Sequence, residues 1–318
     1  MKLPSLLFLF FSAFFIISIM IYSSYVLWFD VDMISEKNVK KEVNNDQFNE
    51  LIEWGNRAMR FPDSVEEYNI NNSPGIKVAI LDSGINLRDK TLVPYIKESY
   101  NCLANTNCVM DKKMKDEYGH GTQIAKIIST GIPLSVRIIP IQIIDNNGNA
   151  NIRSFVNGMN LAIEKQVNII NLSLQIDENI DAVYNVIKKA YDHNIVVVAS
   201  SGNNGENHLS FPARYEEVIS VGSINQRFQR SEFSQYGEGL DFSGPGEFTD
   251  DDMERITGTS FATAFVTKAI ALLSLKHDSI THTQLHKKLK NSAKDLNRPG
   301  FDNYTGYGII NVQTLLQR

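Results

Sequence analysis

Four short, uniformly apolar segments spaced by helical patterns constrain this chain most. Ile76–Leu81 (IKVAIL) is bounded by Pro74-Gly75 and Ser83-Gly84, and Val136–Ile144, Asn168–Leu174 and Ile195–Ala199 follow it. Helical patterns occupy Gln123–Ser129, Ile152–Lys165, Ile180–His193 and Phe261–Lys276. Strands alternating with helices of about 10–15 residues predict an α/β fold with a mainly parallel sheet. The apolarity of the strands predicts that both sheet faces are covered. Pro140 predicts an irregularity inside the second strand. In such folds ligands bind beyond the carboxyl ends of the strands, so the residues after each strand are where chemistry is sought. With 318 residues, 43% hydrophobic and 21% charged, the chain can bury a sizeable core without disulfides or metals. Lys plus Arg number 31 against 36 Asp plus Glu, a net charge of -5. No basic excess exists to neutralise phosphates, so nucleic acid is not an expected partner.

Three segments at such positions carry reactive residues. Asp82 ends the first strand in VAILDSG (78–84); an Asp there also serves metals, phosphates and helix caps. His120 lies in YGHGT (118–122) at a helix entrance. There the positive end of the helix dipole disfavours imidazolium, which suits a general base, although a capping histidine fits equally. Ser260, in TGTSFATA (257–264), opens an apolar helix. It reads as an N-cap, or as a nucleophile whose own N–H points at a developing oxyanion.

Taken together, the Asp, His, Ser order with three glycine-flanked motifs resembles the subtilisin-like serine proteases, the subtilases. The order and the triad roles are standard examples for that family rather than consequences of spacing. The resemblance runs from about Trp54 to the C-terminus. It implies a subtilisin-like three-layer domain over 54–318 and a serine endopeptidase working through Asp82, His120 and Ser260 and an acyl-enzyme intermediate. ASSGNNG (199–205) resembles the segment bearing the family's oxyanion asparagine, which puts that role on Asn203. Ser173-Leu174-Gln175 and Gly148-Asn149-Ala150 resemble its two substrate-lining strands, which would hold an extended peptide by backbone pairing. No cofactor or metal is implied for catalysis.

The departures are informative. Gln175 stands where the family often has glycine and would narrow the entrance of the primary specificity pocket. Ala264 replaces a proline, with no catalytic loss expected. The connection between the His120 helix and Val136 is very short, so the family's strong calcium loop looks deleted. Asp250, Asp251 and Asp252 read as a solvated loop. Glu206, Asp177 and Glu178 read as exposed charge near the substrate surface; the alternative is that one of them selects a basic residue just before the scissile bond. Cys102 and Cys108, in CLANTNC, form either a small disulfide loop, implying an oxidising compartment, or two free thiols.

Leu6–Phe29 contains no charge. It exceeds the apolar core of a secretory signal and reads as a signal anchor crossing the membrane over residues 1–29, with Tyr25, Trp28 and Phe29 as an interfacial belt. The alternative is a long signal peptide cut near Ser23-Ser24. Residues 30–53 read as a polar stalk, leaving no room for a full folding prodomain: either folding is unassisted, or a short segment around Phe48–Trp54 occludes the cleft. The Lys count does not favour an outside C-terminus; the cysteine pair does. The expectation is a single-pass cell-membrane protein with an extracellular domain. Its expected partners are the membrane and a peptide or protein substrate, by analogy with lanthipeptide leader peptidases the leader of a secreted peptide. A broad degradative protease and a non-catalytic binding protein are the alternatives.

Overall fold

The computed structural model describes residues 28–30, 45–64, 75–104, 107–250, 255–277 and 279–317. In chain order the elements begin with β1 (Trp28–Asp30), α1 (Asn45–Ala58), β2 (Ile76–Asp82), β3 (Tyr100–Asn101) and β4 (Val109–Met110). Next come α2 (His120–Ser129), β5 (Val136–Gln142), β6 (Asn149–Asn151), α3 (Ile152–Glu164), β7 (Ile169–Leu172), α4 (Asp181–Asp192) and β8 (Val196–Ser200). The C-terminal part adds β9 (Val218–Ile224), β10 (Phe242–Pro245), β11 (Glu247–Thr249), β12 (Arg255–Thr257) and α5 (Thr259–Lys276). It closes with α6 (His282–Ser292), β13 (Ala293–Lys294), β14 (Ile309–Ile310) and α7 (Val312–Gln317).

Ten strands make one sheet in the order β13-β14-β10-β9-β8-β7-β2-β5-β3-β4. Pairing is parallel from β14 through β3, and antiparallel pairs close the two edges. Side chains alternate between two cores, as a period of two requires. Val78 and Ile80 of β2, with Val196 and Val198 of β8, face the core shared with α1, α2, α5, α6 and α7. Ala79, Leu81, Val197 and Ala199 face the one shared with α3 and α4. This makes the three-layer, mainly parallel α/β architecture. Pro140 lies within β5, opposite Ile80. No break results, because β3 joins β5 only at Ile141 and Gln142, so the ladder on that side does not need the missing N–H.

Two sequence boundaries move. The stalk expected over 30–53 gives way at Asn45 to α1, whose Phe48, Leu51, Ile52 and Gly55 recur at helical spacing and are buried. Phe48 stacks edge-on against Phe261, ring centroids 5.9 Å apart, within the buried core. Trp28 and Phe29, expected at the end of a membrane helix, instead form β1, paired antiparallel with β6. The rest of that apolar run lies outside the described residues. Among the described residues, no helix is long and apolar enough to cross a membrane.

Candidate active site

The chain moves from β2 outward to β5, then crosses back to β7 on the opposite flank of β2. Ligand sites in open α/β sheets form at such a reversal. Asp82 is the last residue of β2 and His120 the first of α2. Their side chains meet at 2.8 Å between Oδ1 and Nδ1, each 1% exposed. The same Oδ1 accepts the Ser83 N–H at 2.7 Å. A carboxylate acceptor on Nδ1 puts that nitrogen's proton in the bond and leaves the Nε2 lone pair outward. Nε2 has no hydrogen-bond partner among the described residues.

The His120 turn is clamped by Asp116, which the sequence reading did not single out. Its Oδ1 accepts from Gly119 N–H at 2.7 Å and Ser83 Oγ at 2.9 Å. Its Oδ2 accepts from Thr122 N–H at 2.8 Å and Thr122 Oγ1 at 2.6 Å. Ser83 Oγ in turn accepts the Gly121 N–H at 3.0 Å. Two free helical N–H groups are thus capped by one carboxylate, and the turn bearing the histidine is tied to the turn after Asp82. An acid four residues before the histidine, at a helix start, was the available signal. Gly121 sits so close that a Cβ there would lie 2.1 Å from the Gly84 carbonyl oxygen.

Ser260 is the second residue of α5 and is buried. Its Oγ donates to the Ser173 carbonyl at a long 3.4 Å, while Ser173 Oγ donates to the Ser260 carbonyl at 3.2 Å. The nucleophile candidate therefore rests on the segment after β7. Phe261 lies beside the His120 ring, centroids 6.4 Å apart, so the α5 start and the α2 start share one pocket wall. Asn203 follows β8. Its Oδ1 accepts from Thr259 N–H at 2.9 Å and Thr259 Oγ1 at 2.8 Å. Those two donors fix the amide orientation and set Nδ2 as the donor on the other side.

Ser173, Leu174 and Gln175 are buried at the carboxyl end of β7. Asn149 and Ala150 lie in β6 and Gly148 just precedes it, against the Tyr118 ring two residues before His120. β6 is the strand that takes β1, Phe29 opposite Ala150 and Asp30 opposite Asn149. Cys102 and Cys108 are bridged at the β3–β4 edge. Asn101 beside them donates to Gln142 Oε1 at 2.8 Å, and Gln142 Nε2 donates to the Ser83 carbonyl at 3.0 Å. Among the described residues no group of three or more His, Cys, Asp or Glu is placed to hold a metal. Asp250 is bonded by Gln47; Asp251 and Asp252 lie outside the described residues. Glu206 pairs with His208 at 3.2 Å, both about half exposed.

This arrangement provides a buried, oriented imidazole, a hydroxyl at a helix N-terminus and an amide donor anchored to that same terminus. Comparison with known proteins identifies the family. Subtilisin Savinase of Lederbergia lenta is 29% identical over 276 residues, covering 82% of this chain and 97% of that protein. The minor extracellular protease Epr of Bacillus subtilis (strain 168) is 30% identical over 249 residues, 74% of this chain and 37% of Epr. A solved lanthipeptide protease superimposes with a TM-score of 0.71 at 23% identity, covering 88% of this chain and 97% of that one. The model of the subtilase family matches residues 73–308. The chain therefore belongs to the subtilase family and is a subtilisin-like serine peptidase.

Proposed function

We propose that this peptidase is an endopeptidase whose reaction runs through Asp82, His120 and Ser260. The observation that carries the reading is the buried 2.8 Å Asp82–His120 bond, which leaves Nε2 as the basic nitrogen, without a hydrogen-bond partner among the described residues. Ser260 Oγ turns from the Ser173 carbonyl to His120, loses its proton to Nε2 and bonds to the scissile carbonyl carbon. The oxyanion takes hydrogen bonds from Asn203 Nδ2 and the Ser260 N–H, where the helix dipole favours negative charge. The C–N bond then breaks, and His120 returns the proton to the leaving amine. Water, deprotonated by His120, releases the acid and restores Ser260. Asp82 holds the tautomer and stabilises the transient imidazolium. Every role is carried by this chain, and the reading assigns no cofactor. It places no structural calcium between α2 and β5, which are joined by residues 130–135 only.

The substrate binds as an extended strand along β6, with Ser173–Gln175 on its other side. The β1–β6 pairing supports this, since that edge already accepts an antiparallel backbone. Residues 6–27 suffice, at 1.5 Å per residue, to cross about 30 Å of hydrocarbon. The proposed setting is therefore the cell membrane, with the catalytic domain outside, as the Cys102–Cys108 bridge favours. A tethered protease suits selective processing, and the leader of a secreted peptide is the proposed substrate class. The solved lanthipeptide protease contributes the fold to this argument and not the substrate.

A fluorophosphonate probe tests the chemistry. The wild-type protein is expected to label and Ser260→Ala not to. Equal labelling of the two, or full peptide hydrolysis by Ser260→Ala, rejects the assignment. Rapid, unselective digestion of casein rejects the processing role while leaving the chemistry intact.

A further inference from the structure

The segment after β7 and the segment after β8 are joined by one side chain. Gln175 is 7% exposed, and its Oε1 accepts the backbone N–H of Asn203 at 3.1 Å. On its other side the Asn203 Oδ1 accepts from Thr259. The preceding residue, Gly202, has φ +109° and gives the loop no side chain to anchor it. We propose that Gln175 is a positioning residue for the oxyanion donor. It fixes the Asn203 backbone from the β7 side while Thr259 fixes the amide from the α5 side. The amide is then located by both halves of the site at once.

The physical basis is the tolerance of an oxyanion bond. A donor aimed at developing charge is effective only over a few tenths of an ångström, within about 2.7–3.1 Å of the oxygen. Asn203 follows a glycine in a loop, and the Gln175 bond ties its backbone to the end of β7 while the Thr259 bonds tie its amide to α5. Removing the Gln175 acceptor also leaves a partly buried backbone N–H unpaired, which favours a shifted loop. The same side chain fills the gap between the two strand ends, so its loss also widens the site; the two consequences separate kinetically. Loss of positioning lowers kcat, whereas a change in pocket shape moves KM.

This inference rests on the oxyanion role of Asn203, so the test is a double-mutant cycle with Gln175→Met and Asn203→Ala on a peptide substrate. Methionine keeps the length and volume of glutamine without the acceptor. The expected results are about a tenfold fall in kcat with little change in KM for Gln175→Met, a larger fall of about 10²–10³ for Asn203→Ala, and no further loss when the two are combined. An unchanged kcat for Gln175→Met overturns the proposal, and so does a full additional loss in the Asn203→Ala background. An Asn203→Ala enzyme with wild-type kcat overturns the oxyanion assignment itself and the proposal with it. The thermal midpoint of each variant accompanies the kinetics: a Gln175→Met effect that disappears at a temperature where both proteins are fully folded also counts against positioning.

Discussion

Lys268 lies on α5, eight residues beyond Ser260, with 2% of its surface exposed. Its Nζ donates to Asn56 Oδ1 of α1 at 2.7 Å and lies 4.1 Å from the centre of the Phe61 ring. Burial pushes its ammonium down from 10.5 to about 7. The unfolded chain keeps the ordinary value, so between about pH 7 and pH 10.5 the unfolded state holds a proton that the folded state has released. Stability contributed by this site therefore rises with pH across that window, and below it the full burial penalty applies. The window spans about 3.5 pH units at roughly 1.4 kcal/mol each, an upper bound of about 5 kcal/mol. Lys268→Met removes the penalty but leaves Asn56 Oδ1 without its donor, costing about 1–3 kcal/mol. The net expectation is a variant more stable than wild type by up to about 2–4 kcal/mol at pH 6, and less stable by about 1–3 kcal/mol at pH 10.5, where the folded lysine is neutral and the unfolded one half so. Urea unfolding followed by tryptophan fluorescence measures this, with Ser260→Ala in both proteins to stop autolysis. A difference of one sign and size at both pH values, or a destabilised variant at pH 6, refutes the reasoning.

Three other perturbations follow from the site. Asp116→Ala strips four hydrogen bonds from the His120 turn; a fall in kcat of about 10²-fold and a stability loss of about 3 kcal/mol are expected, read by peptide hydrolysis and urea midpoint. Gly202→Ala places a Cβ 1.6 Å from Gln235 Oε1 at φ +109°. A loss of about 3 kcal/mol with near-complete loss of labelling is expected, and a variant with wild-type kinetics contradicts the geometry. A chain beginning at Asn45 lacks β1 and frees the β6 edge. It should bind an extended peptide inhibitor more tightly than the full chain, and equal affinity means that β1 does not compete for that edge.

The legible parts of this protein were those where one residue type solves a local problem. β2, β5, β7 and β8 announced themselves because both of their faces are buried, and the catalytic candidates because each terminates a strand or opens a helix between glycines. β9 (VISVGSI) is as buried as those four, yet its serines and glycine broke the apolar run. In the fold Ser220 and Ser223 are satisfied by Asp241, the Gly239 carbonyl and Ser231, distant partners that no window around β9 contains. Asp116, and the bond of Gln175 to Asn203, escaped for a related reason. Each residue is polar, and its value lies in what it touches across 33 and 28 residues of chain respectively. Lys268 is the reverse case: a charge inside an apolar helix reads as a solvent-facing residue, yet it is buried, with Asn56 of α1 and Phe61 against its ammonium.

The helix α1 best shows how much rests on such contacts. Its sequence, NDQFNELIEWGNRA, is polar overall, so a boundary at Trp54 follows naturally from composition. Yet Phe48, Leu51 and Ile52 precede that boundary and are 3%, 0% and 6% exposed. Each is worth about 1.5–3 kcal/mol when buried, so a chain beginning at Trp54 forfeits about 5–9 kcal/mol. That is comparable with the whole stability of an ordinary domain, about 5–15 kcal/mol. Removing residues 45–53 also takes Phe48 from behind Phe261, whose other neighbour is the His120 ring. If α1 were an inhibitory plug, trimming to Trp54 would raise activity over a chain beginning at Asn45. Because its buried face belongs to the core that backs α5, the same trimming is expected to lower the unfolding midpoint and abolish labelling together. A folded, faster enzyme beginning at Trp54 would show that the core of the site does not need this helix.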